Sequence, residues 1–256
     1  LKDYTPPDFE ISTVDLTFKL NDHKTEVKQV STFKKNNLKA TKLCLDGERL
    51  KLISVRVNEQ DLTSNDFEVT KKQLIIKEVP DEFSLEIQVE IDPANNTFLD
   101  GLYKSKDIFC TQNEPLGFRK ITYFLDRPDV MAIYTTRIIA PKSAYPTLLS
   151  NGNLVSQRDL ENGLHEVVWH DPFKKPCYLF ALVAGDLACL EDEFITSSDK
   201  KVHLKIFCEQ NYLERCHWAM SALKKSMKWD EEKYGLEYDL DIFMIVAVDA
   251  FNAGAM

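Results

Sequence analysis

Between Glu10 and Leu20, the apolar residues Val14, Leu16, Phe18 and Leu20 alternate with Thr13, Asp15, Thr17 and Lys19. A period of two sends successive side chains to opposite faces of an extended chain, so this segment predicts a strand with one buried and one wet face. Shorter runs of the same kind follow at Val27–Phe33, Leu43–Leu45, Leu50–Val57, Phe67–Val69, Gln73–Lys77 and Phe83–Ile91. Turn-forming pieces separate them, among them Asp46-Gly47, Asn58-Glu59-Gln60 and Pro80-Asp81. The expectation is a meander of antiparallel strands, each sheet with one face buried.

After a less regular, Phe- and Tyr-rich stretch from Asp100 to Pro128, further strands are predicted at Ala132–Ile139, Thr147–Ser150, Gly163–Trp169 and Tyr178–Ala184. Asn151-Gly152 has the composition of a hairpin turn, and Trp169-His170-Asp171-Pro172-Phe173 that of a second turn. The texture changes near Gly185. Polar segments flank one more strand, Val202–Cys208, and then comes the first helical pattern: Leu213, Cys216, Met220, Leu223 and Met227 share one stripe. Asn211 with Glu214 has the spacing of a capping box, and Gly235 stands where a helix C-cap is expected. A nearly continuous apolar strand, Leu240–Asp249, follows. A boundary near Ala188 divides the chain into a β domain, 1–188, and the opening of a mixed α/β domain, 189–256.

Composition narrows the function. Against 41 Asp and Glu stand 32 Lys and Arg, a net charge of −9, and phosphate neutralisation needs the opposite surplus, so nucleic acid is not an expected partner. No apolar run approaches the ~18 residues of a membrane span, and Leu1–Glu10 has no basic segment leading into an apolar one. The six cysteines are scattered without C-x-x-C pairing, which predicts reduced, buried thiols in a cytoplasmic protein. Asn95-Asn96-Thr97 fits a glycosylation acceptor, but without a secretory route the match reads as chance.

Chemistry-bearing motifs are sparse. The five histidines form no H-E-x-x-H; His203, Cys208, Cys216 and His217 fit no zinc-finger spacing and read as packing residues. There is no G-x-S-x-G, Walker loop or G-x-G-x-x-G. Two places invite a functional reading. In Thr111-Gln112-Asn113-Glu114-Pro115, a carboxamide and a carboxylate two residues apart could both accept hydrogen bonds from an ammonium group, although on composition alone such a pair in a loop is usually solvated surface. In Asn252-Ala253-Gly254-Ala255-Met256, small residues after an apolar strand would admit a peptide backbone, and a simple turn is the plainer alternative.

With Gly117-Phe118-Arg119, the run Ile121 to Val130 (I-T-Y-F-L-D-R-P-D-V), Leu149-Ser150-Asn151-Gly152-Asn153, the segment Asp171 to Asp186, and Met227 to Glu232, these places resemble the aminopeptidase N family of zinc metallopeptidases, in its bacterial alanyl aminopeptidase branch. The resemblance is specific from about Tyr103 onward and rests mainly on strand pattern before it. It implies a mainly β fold: a saddle-shaped, antiparallel, sandwich-like N-terminal β domain followed by the truncated α/β start of a thermolysin-like catalytic domain. The chain ends on Gly254-Ala255-Met256, the opening of the family's G-A-M-E-N motif, so the resemblance implies an N-terminal portion whose zinc ligands lie beyond residue 256 and which alone holds no metal and is inactive. It implies that Gln112 and Glu114 hold the α-amine of a peptide substrate with a free N-terminus. Gly254 and Ala255 would line that peptide, beside Ala253 and Met256. Ala253 stands where many relatives carry a bulky methionine that shapes the first side-chain pocket, and Asn113 and Pro115 also depart from the common loop. A monomer is expected, completed by the catalytic and C-terminal domains of the same chain. A non-enzymatic β module that kept the scaffold as an interaction surface stays open as the second reading; a reading frame continuing with Glu-Asn and then H-E-x-x-H would discriminate the two.

Overall fold

The alternation read from Val14 onward forms β1 (Phe9–Lys19), with Val14, Leu16 and Phe18 buried. Nearer its start the buried set shifts to Phe9 and Ile11, because the register with the next strand slips between Ile11 and Thr13. One extra residue turns every following side chain to the other face. The computed structural model describes residue 2 and residues 4–248, in two compact units that divide between Ala184 and Gly185.

The first unit continues with β2 (Thr25–Lys35), β3 (Leu43–Asp46), β4 (Lys51–Val57), β5 (Gln60–Asp61), β6 (Phe67–Val69), β7 (Gln73–Ile76) and β8 (Glu82–Ile91). Then come β9 (Gly101–Ser105), β10 (Ile108–Gln112), β11 (Met131–Pro141), β12 (Thr147–Ser150), β13 (Asn153–Asp159), β14 (Leu164–Pro176) and β15 (Leu182–Gly185). Among the described residues they build an eight-stranded sheet, β13-β14-β11-β1-β2-β8-β4-β5, a four-stranded sheet, β12-β15-β10-β9, and a three-stranded sheet, β3-β7-β6.

The chain is mostly β, as expected, but the meander is not wholly antiparallel: β1 and β11 pair in parallel. The stretch from Asp100 is also more regular than its sequence suggests, since β9 and β10 form an antiparallel hairpin there. Every residue of β10 is buried, and a strand covered on both faces shows no alternation to read. Asn151-Gly152 is not a hairpin. It separates β12 from β13, which belong to different sheets, and Gly152 takes φ +92° where a Cβ would lie 2.2 Å from the His170 carbonyl oxygen. The predicted turn at Trp169–Phe173 lies inside β14, which pairs with β11 through a register shift near Tyr134. Of Tyr178–Ala184 only the end is strand; residues 177–179 form a 3-10 turn.

Aromatic rings join the large sheet to the segments that carry the candidate loop. Phe180 stacks on Phe18 of β1 at 5.9 Å and meets Phe118 edge-on at 5.5 Å; Phe118 packs in turn on Phe124 at 4.9 Å. All four are fully buried.

The second unit holds β16 (Ala188–Ile195), β17 (Lys201–Cys208), α1 (Cys216–Tyr234) and β18 (Ile242–Val246), in the sheet order β16-β17-β18. Parallel pairing of β17 with β18 through the helix is the α/β element expected here. Cys216, Met220 and Met227 of the helical stripe are buried, and Gly235 closes the helix in the left-handed region. The capping box does not form: Asn211 sits inside a 3-10 turn, Gln210–Arg215, that precedes the helix, and no side chain caps α1. All six cysteines are free, but Cys44 is exposed and Cys189 half-buried rather than buried. Cys44 alternates with the buried Leu43 and Leu45, so the strand period turns it outward.

Phe180→Ala should cost about 3–5 kcal/mol, the toll of emptying a packed aromatic site, and Phe180→Leu clearly less. Urea unfolding of the variants measures this; equal stabilities would show that the aromatic cluster is not the junction described.

Candidate functional site

Strand β10 delivers the candidate loop, and its period of two sorts the side chains. Thr111 and Asn113 face the segment that enters β15. The Thr111 hydroxyl accepts the Leu182 N–H at 2.9 Å and donates to the Leu182 carbonyl at 3.4 Å, and the Asn113 amide donates to the Phe180 carbonyl at 2.7 Å. At the end of β12, Asn151 accepts the Ala181 N–H at 2.6 Å and donates to the Leu179 carbonyl at 3.0 Å, while the Ser150 hydroxyl donates to the Ala181 carbonyl at 2.8 Å. Four polar side chains therefore hold the backbone of residues 179–182.

Gln112 and Glu114 are the alternate positions. Gln112 is buried: its Nε2 donates to the Glu114 carbonyl at 3.1 Å, and no described residue donates to its Oε1. The neighbouring Asn113 Oδ1 is likewise buried with no described donor. Glu114, Pro115 and Leu116 are exposed, and the Glu114–Pro115 peptide bond is cis. The Glu114 carboxylate forms no ion pair or hydrogen bond with a described residue. Only the second half of the loop is presented to solvent, then, and not the whole of it as its composition suggested. The loop closes by a bond from the Gly117 N–H to the Asn113 carbonyl at 2.8 Å. A Cβ at Gly117 would lie 2.4 Å from the Gln112 carbonyl oxygen, so only glycine fits.

Arg119, two residues on, is committed elsewhere. Its Nε donates to the Asp126 carboxylate at 2.8 Å and its guanidinium lies 3.5 Å from Asp46. Burial alone would lower its pKa, but the bond to Asp126 and the charges of Asp126 and Asp46 raise it above the ordinary value. The Cys177 thiol donates to the other Asp126 oxygen at 3.2 Å; burial, then the Asp126 charge, raises its pKa and keeps it protonated. Arg119, Asp126, Asp46 and Cys177 thus satisfy one another, and none of them pairs with the Glu114 carboxylate.

Residues 7–179 match the Peptidase M1 N-terminal domain. The chain belongs to the M1 peptidase family. It is 55% identical over 254 residues to Aminopeptidase N of Escherichia coli (strain K12), covering 99% of this chain and 29% of that protein. It is 50% identical over 256 residues to Aminopeptidase N of Haemophilus influenzae, covering 100% and 30%. A crystal structure of Legionella pneumophila aminopeptidase A in complex with aspartic acid superposes with a TM-score of 0.95 at 37% identity, over 99% of this chain and 30% of that one. The fold also matches an M1 zinc metallopeptidase mutant of Deinococcus radiodurans bound to a Tyr-Ser-Ala substrate, with a TM-score of 0.79 at 15% identity. The chain therefore spans about 30% of the length of the curated relatives it matches and corresponds to their N-terminal region.

Among the described residues, no group of three or more His, Cys, Asp or Glu stands close enough to hold a metal. His165 faces the Tyr145 carbonyl at 2.7 Å, His170 the Thr135 hydroxyl at 3.1 Å and His23 the Asp92 carboxylate at 3.2 Å. The described residues do not fit zinc. Gln112 and Glu114 lie together; Ala253, Gly254, Ala255 and Met256 lie outside the described residues. What sequence reasoning missed is the role of Thr111, Asn113, Ser150 and Asn151, which is visible only once residues 179–182 are seen between them.

Asn113→Ala should destabilise the chain by about 1–3 kcal/mol, because it leaves the buried Phe180 carbonyl without its donor. Glu114→Ala should leave the urea midpoint near that of the wild type. Equal midpoints for Asn113→Ala and the wild type would refute the clamp.

Proposed function

We propose that this chain is the amine-recognising part of a zinc aminopeptidase that removes single residues from the free N-terminus of peptides. One observation carries the reading: on a loop held by the fold, the Gln112 side chain reaches the Glu114 backbone with its Oε1 given no described donor, and the exposed Glu114 carboxylate two residues on is neutralised by no described residue. An α-ammonium brings donors and a positive charge to match. The carboxylate offers a charge-assisted bond and the carboxamide oxygen a second acceptor. Two fixed acceptors set the distance from the chain end to the scissile bond, so only the first peptide bond meets the reacting centre.

The relatives support this reading, since those named above are aminopeptidases and one was crystallised with an amino acid. In this reading Gly254 and Ala255 line the peptide backbone, Ala253 bears on the first side-chain pocket, and Met256 belongs to the substrate-binding set. The further region that the relatives have would in this reading hold zinc, which would supply Lewis-acid chemistry at the scissile bond. The protein acts in the cytoplasm in peptide catabolism, as a monomer.

The test uses the protein carrying the further region its relatives have. Glu114→Ala should lower kcat/KM on an alanyl substrate roughly ten- to hundredfold, the worth of one charge-assisted bond. Gln112→Ala should cost less, because a carboxamide offers a dipole and not a charge. Zinc content and Tm should hold for Glu114→Ala. A Glu114→Ala enzyme within about twofold of the wild type would sink the anchor.

A further inference from the structure

At the junction of β17 and α1 two thiols face each other. Cys208 closes the strand and is fully buried; Cys216 opens the helix and is 7% exposed. The Cys216 Sγ–H donates to the Cys208 Sγ at 3.5 Å and lies 3.7 Å from the Tyr212 carbonyl oxygen. The turn between them, Gln210–Arg215, is braced by the Tyr212 N–H on the Glu209 carbonyl at 2.9 Å. Leu204, Ile206 and Met220 belong to the same apolar cluster. Among the described residues no His, Asp or Glu joins the pair into a metal cluster.

We propose that Cys208 and Cys216 form a disulfide when the protein meets a peroxide, which makes this strand-to-helix junction an oxidation site. A disulfide needs its sulfurs about 2.05 Å apart, so the two must close by roughly 1.5 Å, within reach of side-chain rotation. Cys216 is the more accessible and reacts first. Its sulfur attacks one peroxide oxygen; the S–O bond forms, the O–O bond breaks, and the departing hydroxide takes up the thiol proton as water. That leaves a sulfenic acid. The Cys208 sulfur then attacks the oxidised sulfur; the S–S bond forms, the S–O bond breaks, and the hydroxide leaves with the Cys208 proton as a second water. Both thiols are oxidised and one peroxide is reduced to two waters. Burial and the neighbouring Cys216 push the Cys208 pKa up to about 11, so Cys208 waits as a thiol rather than competing for the peroxide. Its position beside the sulfenic sulfur gives it an effective concentration that no solution thiol matches. The resulting bond ties the first turn of α1 to the end of β17.

Treatment of the native chain with hydrogen peroxide, then denaturation, alkylation and tryptic mapping, tests this directly. All six thiols should be alkylated before treatment and four afterwards. Trypsin cuts at Arg215, between the two cysteines, so the peptides Ile206–Arg215 and Cys216–Lys224 should appear joined, lighter by two hydrogens than their sum. Cys189→Ser should keep that joined pair. In Cys208→Ala, the Cys216 sulfenic acid should persist and be trapped by dimedone. Full alkylation of Cys208 and Cys216 after treatment, a link through Cys189 instead, or a Cys216 sulfinic acid with no link would overturn the proposal. The wild-type map decides even if a variant fails to fold.

Discussion

Residues 179–182 are the part of the first unit on which the candidate site depends. Their carbonyls and amides are held by Thr111 and Asn113 at the end of β10, and by Ser150 and Asn151 after β12. A hydrogen bond made is worth about 1 kcal/mol net, whereas a buried group left without one costs about 1–3 kcal/mol. The arrangement is therefore strongly biased towards completion. Phe180 adds the apolar half: its ring stacks on Phe18 and meets Phe118, while its carbonyl receives Asn113. Packing of the core and placement of the loop are thereby one structural event.

Strand periodicity then divides labour within four consecutive residues. Thr111 and Asn113 turn towards the fold and hold it; Gln112 and Glu114 are the alternate pair, with acceptor atoms that no described donor satisfies. Further along the chain Arg119 is taken up by Asp126 and Asp46, and Lys120 by Asp100. A carboxylate that no described residue neutralises suits a ligand that brings its own positive charge.

Much of this was legible in the sequence. Strict alternation marked β1 and β8 because each has one wet face, and the helical stripe with Gly235 marked α1. The hairpin of β9 and β10 was not legible, because β10 is buried on both faces and reads as an irregular apolar run. The parallel pairing of β1 with β11 was hidden too, since strand period says nothing about which distant strand lies alongside. Asn151-Gly152 was noticed for the right residues and the wrong reason: its amide holds a neighbouring segment and its glycine fits against β14, with no hairpin between β12 and β13. Gln112 and Glu114 drew only a weak reading from the residues and gained a specific role through the family resemblance, because a carboxamide and a carboxylate in a loop have the composition of ordinary surface.

The most direct measurement is a crystal structure, with a bound amino acid, of the protein carrying the further region its relatives have. The ligand's α-ammonium should lie about 2.7–2.9 Å from the Glu114 carboxylate, with Gln112 Oε1 turned to it and Asn113 still on the Phe180 carbonyl. An ammonium held by other residues, with Glu114 facing solvent, would contradict the proposed role of the loop.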